Sequence, residues 1–193
     1  SGEEDFMGLK FKVSPDVLIP RPETEELVTW IEESLELNKN NQIIDIGTGS
    51  GCIALALKSL IPNANVIGVD LLPNALAVAM ENKINLKLDV DFQEMDALHL
   101  PGDIDAYTVV VSNPPYVLES EKTEMSRNVL DYEPHTALFV DNTDPLLFYK
   151  AIGLWAISSL QKGGFLFFEI NEKYGEEITE FLYSQGVKSV VVK

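Results

Sequence analysis

A short polar motif follows a run of β-branched residues in the middle of the chain. The run from Val109 to Val111 predicts the end of a buried strand, and Asn113-Pro114-Pro115-Tyr116 follows Ser112. Proline has no N–H and cannot continue a ladder, so the strand must stop here and present the polar groups of the motif at its carboxyl end. In an open α/β sheet, ligands bind at that end of the strands.

The residue types of this motif suit a planar N–H₂ group. The side-chain oxygen of Asn113 and the carbonyl of Pro114 can each accept one N–H, and Tyr116 offers a flat face for stacking. A nitrogen on an sp² carbon is a poor nucleophile because its lone pair is delocalised. Held by two acceptors, it could attack a methyl group on a sulfonium, and orientation supplies roughly 7–11 kcal/mol in ideal cases. The alternative is a proline-terminated strand with no such role.

A glycine-rich turn lies earlier in the chain. Gly47-Thr48-Gly49-Ser50-Gly51 follows Asp45-Ile46 at the end of a predicted strand and precedes a predicted helix. It is not a P-loop, since no Gly-Lys-Ser/Thr follows. It also departs from the dinucleotide fingerprint, because Cys52 stands where that pattern needs its third glycine or alanine. A dehydrogenase is therefore disfavoured, and a smaller nucleoside-containing ligand is expected.

Acidic residues follow the next two predicted strands. Asp70 ends the second strand, where a carboxylate can accept both hydroxyls of a ribose, and Leu71 comes directly after it. Asp96 and Ala97 follow the third strand and would lie beside the adenine of the same ligand. The alternative is an ordinary glycine turn with incidental acids, and for Asp96 a solvated loop acid.

Strands alternate with helices along the chain, which predicts an α/β fold with a mostly parallel twisted sheet. Residues 6–13 are expected to form a strand or hairpin arm around Gly8, and Gly163-Gly164 to form a turn. The third helix should turn Ala75, Leu76, Ala79 and Met80 inward, and residues 117–144 should be long, acidic and irregular. Strands are expected at residues 43–46, 66–70, 90–93, 106–112, 165–170 and 187–192, and helices from Pro22, over 52–60, from Pro73, over 146–160 and over 176–184.

Composition narrows the function classes. Fourteen Lys and Arg against 31 Asp and Glu give a net charge of −17, without the basic footprint of a nucleic-acid binder. No apolar run approaches the roughly 20 residues of a membrane span, so no membrane partner is expected. A single cysteine, Cys52, fits a reducing, cytoplasmic setting and is expected in the core. His99 and His135 are isolated, so no metal site is expected.

The motifs together resemble the HemK/PrmC family of protein-(glutamine-N5) methyltransferases, within the class I S-adenosylmethionine-dependent methyltransferases. The resemblance spans nearly the whole chain. It rests on Ile19-Pro20-Arg21-Pro22-Glu23-Thr24-Glu25, the stretch from Asp45 to Gly51, Asp70, Asn113 to Tyr116, Glu133-Pro134 with Ala137-Leu138, Gly163-Gly164 and Glu169-Ile170. The Asn-Pro-Pro-Tyr motif is shared with enzymes that methylate adenine or guanine amino groups, whereas the string from Ile19 to Glu25 is more specific to the glutamine enzymes.

The resemblance implies a Rossmann-like fold with helices on both faces of the sheet, and transfer of a methyl group from S-adenosyl-L-methionine to the Gly-Gly-Gln glutamine of a peptide chain release factor, leaving S-adenosyl-L-homocysteine. The cofactor-binding candidates are Asp45, Gly47, Thr48, Gly49, Ser50, Gly51, Asp70, Leu71, Asp96, Ala97 and Asn113. The catalytic and substrate-binding candidates are Asn113, Pro114, Pro115 and Tyr116, with Arg21, Pro22, Glu23 and Thr24 lining the approach or serving only to start and cap a helix.

Two departures from the family pattern stand out. The family carries an N-terminal helical domain and a final antiparallel strand, and neither has a counterpart in this sequence, so a fragment is expected. Residues 1–40 are interpreted as a hairpin and helix appendage on a catalytic domain of residues 41–193. Two further functions stay open: methylation of adenine or guanine amino groups in nucleic acid, and a non-catalytic binding protein that keeps the fold.

Overall fold

The computed structural model describes residues 2–15, 17–36, 38–102, 106–114, 117–118, 139–140 and 144–193. Its centre is a five-stranded sheet in the order β5-β4-β3-β6-β9, in which every neighbouring pair is parallel. The strands are β3 (Gln42–Ile46), β4 (Asn65–Asp70), β5 (Asp91–Glu94), β6 (Tyr107–Ser112) and β9 (Leu160–Phe168). This confirms the predicted parallel α/β sheet.

Five helices accompany the sheet in the described part of the chain. They are α1 (Pro22–Ser34), α2 (Cys52–Leu60), α3 (Pro73–Leu86), α4 (Leu147–Ser159) and α5 (Gly175–Ser184), and a 3₁₀ turn spans Glu172–Tyr174. Pro22 and Pro73 each stand in the first turn of their helix, where the missing N–H has no intrahelical partner to lose. The predicted start of α1 and both ends of α2 are confirmed.

The central strands are buried on both faces, which is why isoleucine and valine fill most of their buried positions. Ile43, Val109 and Val111 pack in one apolar cluster with residues of α1 and α2. The alternating residues, among them Ile44 and Val110, pack in a second cluster with residues of α4. Successive side chains of a strand point to opposite faces of the sheet. Helices α1 and α2 therefore cover one face, and α4 covers the other.

A small antiparallel hairpin precedes the sheet, formed by β1 (Glu3–Phe6) and β2 (Leu9–Lys12). Its two-residue turn has Met7 at φ 51° and Gly8 at φ 74°, the positive values that a tight hairpin turn needs. Phe6 and Phe11 are buried and join the cluster of α1 and α2. The hairpin around Gly8 is confirmed, and the domain boundary near residue 40 stays a prediction.

Three sequence-based expectations about the fold are wrong. Gly163-Gly164 do not separate two elements, because β9 runs through them and a register shift between Tyr107 and Val109 absorbs the extra residues. Residues 187–192 form no strand, since Val191 and Val192 are exposed and no described strand pairs with them. Met80 is exposed, because the inward face of α3 consists of Ala75, Val78, Ala79 and Asn82.

The segment predicted to be irregular, residues 117–144, lies largely outside the described residues. Within it, the backbones of β7 (Val117–Leu118) and β8 (Phe139–Val140) pair in parallel. Over the described ranges, no helix has the length and apolar character needed to cross a membrane.

Candidate functional site

A cavity of about 400 Å³ opens at the carboxyl ends of the strands. Strand β3 has β4 on one side and β6 on the other, so the order of strands reverses there, and such a point is where open α/β sheets bind ligands. The predicted residues that line the cavity come from five separate stretches of the chain. They are Thr24, Gly47, Thr48, Gly49, Ser50, Asp70, Leu71, Asp96, Ala97, Asn113 and Pro114.

The glycine turn is held against β4 by its own backbone. The N–H groups of Gly47 and Thr48 both donate to the Val69 carbonyl, at 2.8 and 2.9 Å. Gly51, at φ 80°, ends the turn as the N-cap of α2, and a Cβ there would meet the Phe92 ring at 2.9 Å. This position therefore requires glycine for both its backbone angle and its packing. Gly51 itself does not line the cavity.

Asp70 links the turn to the start of α3. Its Oδ2 accepts the Gly49 N–H at 2.9 Å, and its Oδ1 accepts the Leu72 N–H at 3.0 Å. Each carboxylate oxygen can accept more than one hydrogen bond, so both keep capacity for the hydroxyls of a ligand. Asp70 therefore both shapes the glycine turn and offers acceptors at the cavity wall.

Asp45 lies beneath the turn and does not line the cavity. It is fully buried, its Oδ2 accepts the Thr48 hydroxyl at 2.7 Å, and its Oδ1 has no hydrogen-bond partner among the described residues. Burial raises the pKa of Asp45 from 3.8 to about 7, with the Asp70 charge acting in the same direction. A buried carboxyl with a pKa near 7 beneath the glycine turn is a candidate functional group.

Cys52 begins α2 and touches the same cavity. Burial raises the pKa of its thiol to about 12, so the thiolate is scarce at neutral pH and the side chain behaves as a small apolar group. The expectation that Cys52 belongs to the core is confirmed.

Asn113 follows β6 at the cavity wall, and its Oδ1 atom is buried without a hydrogen-bond partner among the described residues. Its side chain instead donates to the carboxylate of Glu169, which also accepts the Thr24 hydroxyl at 2.7 Å. An amide that donates on one side presents its oxygen on the other. Pro114 lies beside it at the wall, and Pro115 and Tyr116 lie outside the described residues.

The predicted approach residues divide into two groups. Thr24 is buried and lines the cavity, whereas Arg21, Pro22 and Glu23 do not line it. Arg21 and Glu23 nevertheless act on the same carboxylate, since the Arg21 charge lowers the pKa of Glu169 and the Glu23 charge raises it. The string from Ile19 to Glu25 thus meets the polar motif of β6 through Glu169.

Asp96 turns the chain after β5. Its Oδ1 accepts the Leu98 N–H at 2.9 Å and its Oδ2 pairs with His99 Nδ1 at 2.7 Å. The His99 hydrogen bond is the main reason that the pKa of Asp96 lies below its usual value. Asp96 and Ala97 therefore form a fixed wall of the cavity. No group of three or more potential metal ligands occurs in the described ranges.

The sequence reasoning missed several residues of the site and its supports. Phe148 and Ile152 reach the cavity from α4, and only the topology brings that helix there. Gly68 leaves room for the turn, because a Cβ on it would meet the Phe92 ring at 2.5 Å and Thr48 Oγ1 at 2.7 Å. Asn82 is fully buried and connects Lys12 of β2 to the Ser50 carbonyl of the turn. Its place in the buried stripe of α3 could have been suspected from helical spacing.

Comparison with known proteins places the chain in a family. A family model described as a methyltransferase domain matches residues 43–131. The release factor glutamine methyltransferase of Flavobacterium psychrophilum is 47% identical over 195 residues, which cover 100% of this chain and 68% of that protein. The protein of the same name from Bacteroides thetaiotaomicron is 45% identical over 192 residues, covering 99% and 68%. The chain belongs to the release factor glutamine methyltransferase family.

Solved structures agree on the fold. The hMettl16 catalytic domain, solved with a 3′UTR hairpin, aligns with a TM-score of 0.72 at 22% identity, over 95% of this chain and 69% of that one. The ribosomal protein L11 methylase of Lactobacillus delbrueckii aligns with a TM-score of 0.60 at 19% identity, over 91% and 77%. At these identities the likeness shows the class I methyltransferase fold alone.

The cofactor of a methyltransferase with this fold is S-adenosylmethionine, and the cavity fits it. An added Cβ at Gly47 or Gly49 would meet nothing within 4 Å, so the turn leaves open space towards the ligand. The Asp70 carboxylate stands at the end of the adjacent strand with acceptor capacity left for a ribose. Apolar side chains such as Phe148 and Ile152 also line the cavity.

Proposed function

We propose that this protein transfers a methyl group from S-adenosylmethionine to the side-chain amide nitrogen of a glutamine in a peptide chain release factor. The observation that carries the proposal is the buried Oδ1 of Asn113, which has no hydrogen-bond partner among the described residues and belongs to a residue at the wall of a cofactor-sized cavity. A buried acceptor without a partner costs roughly 1–3 kcal/mol, so its persistence indicates a donor that arrives with the substrate. The relatives' name, release factor glutamine methyltransferase, supports a glutamine amide as that donor.

The residues of the β6 motif would hold the glutamine amide. The Oδ1 of Asn113 would accept one N–H, and the carbonyl of the adjoining Pro114 would accept the other. These two hydrogen bonds would fix the plane of the amide and raise the electron density on its nitrogen, and no strong base is needed before transfer. Tyr116 is proposed to stack on the amide face, as its aromatic ring allows.

When bound, S-adenosylmethionine supplies the methyl group: the N–C bond forms, the S–C bond breaks, the sulfonium becomes the thioether of S-adenosylhomocysteine, and the amide nitrogen releases a proton to solvent. Positive charge on sulfur is lost in this reaction. The apolar wall formed by Phe148 and Ile152 excludes water and favours a reaction in which charge disappears. Asp70 would hold the ribose hydroxyls meanwhile.

Methyl transfer to a purified release factor tests the proposal. The protein is incubated with methyl-labelled S-adenosylmethionine and the release factor, and the labelled peptide is identified by mass spectrometry. We expect label on the glutamine of the Gly-Gly-Gln loop, and none when that glutamine is replaced by alanine. Label that persists after Gln→Ala, or no label on the release factor at all, would contradict the proposal.

Methylation of a base amino group is the main competing function. The same two acceptors would suit that chemistry, but a net charge of −17 opposes binding to a polyanion. Adenine- and guanine-containing RNA and DNA belong in the same assay, and faster methyl transfer to either would identify a base, and not a glutamine, as the methyl acceptor.

A cytoplasmic location, favoured by the single cysteine and by a release factor as substrate, is part of the proposal.

A further inference from the structure

Glu169 is a carboxylate that lies behind the cavity and does not line it. It directly follows β9, and its backbone N–H donates to the Ser112 carbonyl of β6 at 3.1 Å. Its own carbonyl accepts the hydroxyl of the buried Tyr149 at 3.3 Å. The backbone of Glu169 is therefore fixed beside the end of β6, so its side chain has a defined position relative to Asn113.

Two donors converge on the Glu169 carboxylate. The hydroxyl of Thr24, which is buried, donates to Oε2 at 2.7 Å, and the side-chain amide of Asn113 donates as well. Burial raises the pKa of Glu169, whereas these two donors and the Arg21 charge lower it and the Glu23 charge raises it. A carboxylate oxygen accepts its hydrogen bonds, so each neighbour that bonds to it turns a donor towards it.

This requirement decides which way the Asn113 amide faces. An asparagine side chain carries donors on nitrogen and an acceptor on oxygen, and rotation by half a turn exchanges them. With the nitrogen turned to Glu169, the oxygen is directed away from it, which agrees with the buried Oδ1 that has no partner in the described part of the chain. In the opposite orientation the Asn113 oxygen would face the Glu169 carboxylate, and the Asn113 N–H₂ group would face the substrate. Two N–H₂ groups cannot hydrogen-bond to each other, so the substrate amide would be repelled.

We propose that Glu169, held by Thr24, is a positioning residue that keeps the Oδ1 of Asn113 facing the substrate amide. The inference rests on the proposed function, since it assigns a task to residues behind the same site. It also gives Thr24 a role in turnover beyond the start of α1. Neither residue is expected to contact the reacting atoms.

Replacing the carboxylate tests the proposal directly. In Glu169→Met the amide loses its acceptor, so we expect kcat for methylation of the release factor to fall about 10- to 100-fold, the equivalent of a hydrogen bond to a charged group. The dissociation constant for S-adenosylmethionine, measured by calorimetry, should stay within twofold. Glu180→Met removes an exposed glutamate from α5 and should change neither quantity. An unchanged kcat in Glu169→Met would overturn the proposal.

A polarity exchange separates orientation from mere packing. Asn113→Asp sets two carboxylates against each other and should abolish turnover. Adding Glu169→Gln supplies an amide donor to the new carboxylate, whose second oxygen then faces the substrate, so the double variant should recover at least tenfold over Asn113→Asp. A loss of general packing would give no recovery, and that result would refute a positioning role.

A substitution at Thr24 provides a second test of the proposal, which stays informative if the Glu169→Met variant does not fold. Thr24→Val is nearly isosteric and removes the donor to Glu169, so kcat should fall about three- to tenfold. Thr29→Val on the exposed side of α1 is its matched control, because the Thr29 hydroxyl donates to the Glu25 carbonyl of its own helix. Equal effects of the two valines would refute the proposal. Failure of the wild-type protein to methylate glutamine would instead refute the proposed function.

Discussion

The buried Asp45 makes a prediction about stability and pH that does not depend on any substrate. We consider Asp45→Asn in the protein without cofactor. Asparagine keeps an oxygen for the Thr48 hydroxyl that now donates to Asp45 at 2.7 Å, and it replaces the titratable carboxyl by an uncharged amide of nearly the same shape. Because Asp45 is fully buried, the lost hydration of its charged form outweighs the hydrogen bonds from the Thr48 side chain and the Ala54 backbone.

The size and sign of the effect follow from proton linkage. The pKa of Asp45 is raised from 3.8 to about 7 in the folded protein, so between these pH values the folded state holds a proton that the unfolded chain has released. The contribution of this group to stability is therefore complete below about pH 4 and is lost as the pH rises through 7. At about 1.36 kcal/mol for each pH unit, the whole loss is about 4 kcal/mol, of which about 2.5 kcal/mol falls between pH 5 and pH 8.

Urea unfolding at several pH values measures this effect. The free energy of unfolding of Asp45→Asn minus that of the wild type should grow by about 2.5 kcal/mol from pH 5 to pH 8. Asp89→Asn is the matched control, since the Asp89 side chain is 96% exposed, and its difference from the wild type should stay nearly constant. A constant difference for Asp45→Asn would show that the carboxyl is already ionised at pH 5, and the argument from burial would fail.

Four other substitutions probe the site and its supports. Asn113→Ala should lower kcat by about two orders of magnitude or more and leave the affinity for the cofactor little changed. Asp70→Ala should first weaken cofactor binding, measured by calorimetry. For either variant, equal losses in kcat and in cofactor affinity would mean that the substituted residue is structural. Asn82→Ala removes hydrogen bonds to the backbones of Lys12 and Ser50. The free energy of unfolding, measured in urea, should therefore fall by about 2–4 kcal/mol. A loss under about 1 kcal/mol would show that these hydrogen bonds contribute little to stability. Gly68→Ala should cost about 1–3 kcal/mol because its Cβ would meet Phe92 and Thr48, while Gly102→Ala meets nothing within 4 Å and should be neutral in the same assay.

The strongest periodic patterns in the sequence were sufficient to place the core of the fold. Helix α2 begins at Cys52 and ends at Leu60, as expected, because its apolar residues are bounded by a glycine turn and a proline. The central strands were equally clear, since burial on both faces favours the β-branched residues in which they are rich. These elements carry the glycine turn, Asp70 and Asn113, so the location of the cavity could also be predicted.

The errors arose where local preference competes with tertiary context. Residues 187–192 have the composition of a strand, but a strand requires a partner, and the described sheet gives them none. On α3 the inward face includes the polar Asn82. A prediction from the hydrophobic residues alone therefore assigned Met80 to the inward face by mistake. Long-range contacts such as that of Phe148 with the cavity follow from topology and leave no trace in neighbouring residues.

Glu169 shows how two motifs of the sequence depend on each other. Asn-Pro-Pro-Tyr defines an acceptor pair only if the Asn113 oxygen faces the cavity, and nothing within those four residues determines that orientation. The carboxylate that can determine it follows β9, and the hydroxyl that holds this carboxylate belongs to Thr24, 145 residues away in the chain. The string from Ile19 to Glu25 is therefore more than a marker of the family. It completes a hydrogen-bonded unit of Thr24, Glu169 and Asn113, which in the proposed function positions one substrate nitrogen.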